Sequence, residues 1–276
     1  MKKIFKIVGT FSILCFSFFY TDKVVTVISD NDPLKQEIIN VSENYKVLPN
    51  EAVVKNDEII PGSNGRVVNI EKTYKKMRRD NIFNNNYVIY DSIYPKYRLI
   101  DNKDKYIVSG NINNNNVSII LLVNNNYYLN DIIKEFNKRN KNVNLFVSYE
   151  FLNNNISYLK GIKHNIYMYS DNYTYDTLLI SNNIIKRISS TNPIYCLMLD
   201  KNTLGIKVCS YVEMYSVIPS IKGGYSDIKN NLKNGSIILL NNNYSTMKEI
   251  SNIIDFISSK GYNIVSLDRL LSEDVL

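Results

Sequence analysis

An α/β fold built on a parallel sheet is what this sequence predicts from residue 117 onward. Three observations point there. Seven short apolar runs recur, at 117–123, 143–147, 165–169, 194–199, 214–218, 236–240 and 263–267. Helical patterns separate them, giving seven strands alternating with six helices. The alternation starts at 117, where the pattern changes from the turn-punctuated segment before it. The arrangement is either an open sheet or a barrel.

The elements follow in order. SIILLVNNNYY opens the region with a strand that runs straight into three asparagines. Residues 129–140 then place Ile132, Ile133 and Phe136 on one helical face. The helical patterns at 202–212 and 225–233 are weaker. SIILLNNNYS at 236–245 repeats the strand-then-asparagine pattern. Across 246–260, Ile250, Ile253, Ile254 and Ile257 recur at helical spacing behind a capping box of Thr246 and Glu249, and Gly261 stops the helix. In α/β barrels the chemistry sits where strands end and βα loops begin. Asn124–Asn126 and Asn241–Asn243 therefore occupy the site rim, on strands one and six. Asparagine triplets also stand at 84–86 and 153–155, so neither rim triplet signals a duplication by itself.

The N-terminus reads as a membrane address. Lys2, Lys3 and Lys6 precede an apolar stretch from Ile7 to Tyr20, and Asp22 ends it. A positive start and an apolar core make a signal segment. Without an A-x-A-like cleavage site, residues 1–23 read as an uncleaved single-pass anchor, with secretion after cleavage as the alternative. The positive-inside rule then places 24–276 outside the cytoplasm. Residues 24–43 read as a polar stalk, 44–110 as a small β-rich N-terminal region, and 111–276 as the main domain. Within 44–110, Pro61-Gly62 and Asn64-Gly65 flag turns, Ile70, Tyr74 and Met77 give a short helix, and YVIYDSIYPKYRLI looks extended.

Composition bounds the function. The chain has 276 residues, 45% hydrophobic and 21% charged, with a net charge of +7. That charge favours anionic surfaces. The cations are scattered, with no stripe that would track nucleic acid. Three cysteines, Cys15, Cys196 and Cys209, show no zinc-ligand spacing. Cys196 and Cys209 sit in apolar contexts that favour buried free thiols over a pair. One histidine, His164, is the most restrictive fact of all.

Several stretches carry a family resemblance. VSIILLVNNN sits where a first strand ends in a TFDDG-like motif. KNVNLFVSYEFL, IKHNIYMYSDNYTY and GSIILLNNN follow as second, third and late strands, and SNIIDFISSKGYNIVSLDRLL as a closing helix and strand. Region 117–272 resembles the polysaccharide deacetylase family, the NodB homology domain. NEAVVKNDEIIPGSNGRVVNIEKTYKKM and IFNNNYVIY resemble a segment attached to such domains in anchored Gram-positive envelope proteins. The resemblance implies an incomplete seven-stranded (β/α) barrel of the glycoside hydrolase/deacetylase type.

It also implies a site, and here the site is vacated. Active members use an Asp base, a metal held by one Asp and two His, and a late His acid. The base position falls on Val123, the metal Asp on Asn124, the two metal histidines on Tyr169 and Tyr173, and the late His on Asn241. The Arg-Pro strand falls around Tyr195–Leu199 and keeps neither residue. His164 matches a histidine that is not a ligand. A two-histidine site cannot be built from one histidine, so no metal, no cofactor and no catalytic residue is expected. Asp171, Asp200 and Glu213 read as solvated loop acids.

What the rim retains is amide and aromatic chemistry. Tyr167, Tyr169, Tyr173, Asp171, Asn124 and Asn241 form a candidate glycan-binding set. The expected function is that of an extracytoplasmic pseudoenzyme that binds cell-envelope glycan. The alternatives are a scaffold for an envelope protein partner and an active deacetylase with an atypical site.

Overall fold

The computed structural model describes residues 12–13, 15–18 and 31–274. The expected anchor at 1–23 lies mostly outside the described residues. Among those described, no helix is long and apolar enough to cross a membrane.

The chain divides into two units. One comprises residues up to 49 and 64–94; the other comprises 50–63 and 95–276. The region 44–110 is therefore shared between two cores and is not a domain by itself. In the first unit, helix α1 (Pro33–Ser42) packs against helix α2 (Ile70–Met77). Leu34, Ile38, Val68, Tyr74 and Met77 form its small core. The expected stalk is thus partly a packed helix, because Leu34 and Ile38 fall one turn apart and both are buried. Asp32 caps α1 and accepts the Tyr74 hydroxyl at 2.8 Å.

The second unit begins with an antiparallel hairpin of β1 (Val53–Lys55) and β2 (Glu58–Ile60), turned by Asn56 at φ 56°. In the first unit, β3 (Gly65–Val68) pairs antiparallel with β4 (Tyr90–Ile93). No turn forms at Pro61-Gly62 or Asn64-Gly65, where the sequence predicted them, and Gly65 opens β3. Gly62 is there because a Cβ would lie 2.0 Å from the Asn50 carbonyl oxygen.

Two sheets build the rest of the second unit. In one, β12 (Ile237–Asn241), β6 (Asn116–Val123), β7 (Asn144–Ser148) and β8 (Asn165–Tyr169) run parallel in that order. Strand β11 (Ile221–Lys222) extends its edge, and β13 (Asn263–Ile264) pairs with β6. In the other, β9 (Tyr195–Leu197) and β10 (Tyr215–Val217) run parallel and continue through β5 (Tyr106–Ile107) to the hairpin. The barrel is thus open, in two arcs. No ladder joins β8 to β9, and residues 50–60 and 106–107 join the second arc. These two- and three-residue strands carry too little pattern to be read ahead of the structure.

Strand alternation separates two cores. Val117, Ile119, Leu121 and Val123 face the helix layer, with Leu145, Val147, Ile166 and Met168. Ile120, Phe146, Tyr167, Tyr169, Tyr195 and Leu197 fill the interior. The helix layer comprises α3 (Leu129–Lys138), α4 (Tyr149–Asn154), α5 (Ile156–Leu159), α6 (Tyr175–Ile188), α7 (Thr203–Tyr211), α8 (Tyr225–Asn231) and α9 (Tyr244–Ser259), and α10 (Leu267–Leu271) follows β13. All four expected isoleucines of α9 are fully buried, each contributing about 1.5–3 kcal/mol. Arg139 ties α3 to α9 through a paired contact with Asp255 at 2.7 and 2.9 Å. The cap of α9 is Asn243, which accepts from the Thr246 amide at 2.9 Å. Glu249 turns instead to the Tyr225 amide, so the expected Thr246–Glu249 box does not form.

Cys196 and Cys209 form a disulfide between β9 and α7. This corrects the free-thiol expectation: apolar surroundings are compatible with either state, and the fold brings the two Cα atoms to 6.4 Å, within bridging range. Cys15 is free and exposed.

Candidate functional site

The rim is built where β12, β6, β7 and β8 end side by side. Asn241 is the last residue of β12 and pairs in register with Leu122. The Asn242 amide continues to the Leu122 carbonyl at 2.9 Å. Its side chain then donates to the Asn125 carbonyl at 2.7 Å. Asn125 Oδ1 accepts from the Tyr127 amide at 3.2 Å, and Asn243 caps α9. The two asparagine triplets are therefore adjacent loops, stitched together, and Asn125, Asn242 and Asn243 are structural. Asn124 and Asn241 are exposed.

The tyrosines fall elsewhere than a sugar-binding rim requires. Tyr167 is wholly buried, stacked on Phe146 at 4.9 Å and edge-on to Tyr195 at 5.6 Å. It is core, and no ligand reaches it. Tyr173 is buried too, and its hydroxyl takes both backbone groups of Leu197. It accepts from the amide at 3.1 Å and donates to the carbonyl at 3.1 Å. One side chain thereby bridges β8's end to β9, where the ladder is missing. Burial pushes its hydroxyl well above the usual tyrosine range, so it stays protonated and able to donate. Tyr169 lies at the mouth of the interior, and its hydroxyl donates to Asp171. Desolvation and that carboxylate raise its ionisation as well.

These commitments decide whether the fold's metal fits, and it does not. Val123 is fully buried among helix-facing residues and offers no donor. Asn124 offers only a neutral amide. The hydroxyls of Tyr169 and Tyr173 are engaged and protonated. Among the described residues, no group of three or more His, Cys, Asp or Glu side chains could hold an ion. His164 precedes β8 at the opposite end of the strand from Tyr169, buried against Phe136 with neither ring nitrogen hydrogen-bonded.

Two clefts open on the rim. The larger, about 490 Å³, is lined by Tyr169, Asp171, Leu199, Asp200, Lys201 and Asn202 among others. Lys222 donates to Asp200 at 3.0 Å and to the Leu199 carbonyl. Lys201 pairs with Asp57 and Glu58 at 2.7 and 2.8 Å. Asp200 and Glu213, read as loop acids, are both exposed and ion-paired, Glu213 with Lys103. The smaller cleft, about 310 Å³, runs from Asn124–Tyr127 to Ser148, Glu150, Phe151, Asn154 and Asn155. Tyr169 and Asp171 thus line one cleft and Asn124 the other, so the six expected glycan contacts do not converge. Sequence reading missed Tyr127, Glu150 and Asn154. The NNN run at 153–155 was the available signal.

The fold defines a class: an open (β/α) barrel of the polysaccharide deacetylase type, in which the described residues bring together no group of three or more metal-ligating His, Cys, Asp or Glu side chains. Particular relatives bear this out at the level of fold. Wild-type BA3943 of Bacillus anthracis, a CE4 family pseudoenzyme, superposes with a TM-score of 0.67 at 19% identity, covering 89% of this chain and 97% of that one. A mutant of it with restored enzymatic activity superposes at 0.66, with 19% identity and 89% and 100% coverage. The family 4 carbohydrate esterase PdaA of Bacillus subtilis gives 0.53 at 17% identity, over 62% of this chain and 86% of its own. The uncharacterized protein YlxY of Bacillus subtilis strain 168 is 25% identical over 281 residues, 90% of this chain and 86% of that protein. No family model matches the chain.

Proposed function

We propose that this chain is a non-catalytic member of the polysaccharide deacetylase group, exported to the cell envelope, where it holds glycan without turning it over. One observation carries the non-catalytic part. Tyr173, at the position of a metal histidine, spends its hydroxyl on the Leu197 backbone. A side chain fixed in that way has no lone pair aimed at an ion. BA3943, which matches along nearly the whole chain, is itself a pseudoenzyme. Export is supported by the lysine-then-apolar N-terminus and by the Cys196–Cys209 bridge, since disulfides persist in oxidising compartments. Glycan binding is supported by the open polar clefts at the strand ends.

The test is zinc analysis, acetate release and retention on purified peptidoglycan, with residues 24–276. Retention without acetate release or stoichiometric zinc is expected. Bound zinc with acetate release overturns the proposal. A second reading, a scaffold for an envelope protein, is favoured by exposed Tyr175, Leu179, Ile180, Leu204 and Tyr211 on α6 and α7. Crosslinking in intact cells separates the two readings, because a scaffold yields a protein adduct.

A further inference from the structure

Resting on the glycan reading, we infer that the Asn124–Glu150 cleft is an amine-selective sugar site, which takes a glucosamine unit with a free amino group in preference to its N-acetylated form.

Several of the cleft's polar groups are uncommitted. Among the described residues, the side chains of Asn124, Asn126 and Asn154 make no hydrogen bond, and Glu150 makes neither a hydrogen bond nor an ion pair. Neutral amides that both donate and accept suit sugar hydroxyls, which do the same. Tyr127 lies 81% exposed beside them. Its backbone amide is held by Asn125 Oδ1 at 3.2 Å, which fixes where the residue leaves the loop. An aromatic face flanked by amides is a platform for the apolar face of a pyranose.

Charge selects within that class. Glu150 is the one Asp, Glu, His, Lys or Arg side chain lining the cleft. An anionic polymer is therefore disfavoured here, although the chain as a whole carries +7. A protonated sugar amine meets an unpaired carboxylate, whereas an acetamido group offers no charge. The large cleft differs: its lining cation Lys201 is already paired with acids, and its Asp200 is paired with Lys222. Because the net charge repels a polycation at long range, any preference for the amine must be local and must depend on Glu150.

The experiment compares binding of tetramers of N-acetylglucosamine and of glucosamine to residues 24–276 by calorimetry at pH 6.5 and again at pH 9.5. At pH 6.5 a preference for the glucosamine tetramer of about two- to fivefold is expected, the scale of one exposed charge pair. Glu150→Gln should remove that preference while keeping residual binding, and so should pH 9.5, where the amine is neutral. Tyr127→Ala should weaken both ligands alike; both residues are exposed, so folding is spared. Equal binding of the two tetramers, or a preference untouched by Glu150→Gln, overturns the amine inference and leaves the glycan reading standing. Binding of neither tetramer, together with no retention on peptidoglycan, overturns both.

Discussion

Replacing Tyr173 by Phe removes one oxygen and opens the seam between β8 and β9. The ring stays, so packing is conserved. The hydroxyl had satisfied the Leu197 amide and carbonyl, each at 3.1 Å, in a residue that is itself fully buried. Two hydrogen bonds are lost, at about 0.5–1.5 kcal/mol each, and two backbone groups are left unpaired, each with a penalty of about 1–3 kcal/mol. These terms overlap, so the expected loss is about 2–4 kcal/mol for the barrel unit. At about 2–4 °C per kcal/mol for a chain of this size, the melting temperature should fall by roughly 4–16 °C. Tyr169→Phe is the control. It also loses one hydroxyl, but its partner Asp171 is exposed and regains water. That variant should cost less than about 1 kcal/mol. Urea and thermal melts by circular dichroism measure both. If Tyr173→Phe melts within 1 °C of the parent, or no lower than Tyr169→Phe, the hydroxyl does not close the seam and the reasoning fails.

Three other outcomes follow from the same structure. Thiol titration of the unfolded, unreduced chain should find one free cysteine, Cys15, and three after reduction; breaking the 13-residue Cys196–Cys209 loop should cost about 3 kcal/mol in denaturant midpoint analysis. Burial holds His164 below its ordinary value of 6.5. Protonation therefore favours the unfolded chain, and stability present above pH 6.5 should decline as pH falls below it, while His164→Phe should flatten that limb of a melting-temperature profile. Adding zinc at 100 μM should leave the melting temperature unchanged, because stabilisation requires a site that binds the folded form; a rise of several degrees that persists after His164→Phe would expose a metal site among the remaining residues.

The strands were legible because parallel strands buried on both faces are continuous apolar runs, and six of the seven fell within two residues of their expected ends. The last, expected over 263–267, closes after Ile264 and gives way to the short α10 helix. The isoleucine stripe of α9 was legible for the same reason of period. Helix α6 was not, since Leu179 and Ile180 are exposed and break its one-sided pattern. The sharing of 44–110 between two units was invisible, because it rests on strands of two or three residues paired far along the chain. The site was half legible. The single histidine needs only a count of residue types. Residue type does not give direction: the period of two sends Tyr167 and Tyr169 to the interior together, and only Tyr169, at the strand's end, reaches a cleft. Tyr173 could be assigned only once the gap between β8 and β9 was seen.

That gap leaves two arcs of wall in the keeping of one side chain. The Tyr173 hydroxyl joins them through both backbone groups of Leu197. A substitution that drops the hydroxyl gives up the seam, whatever else it preserves. The open barrel thus replaces a backbone ladder with a single latch, and residue 173 is an architectural commitment.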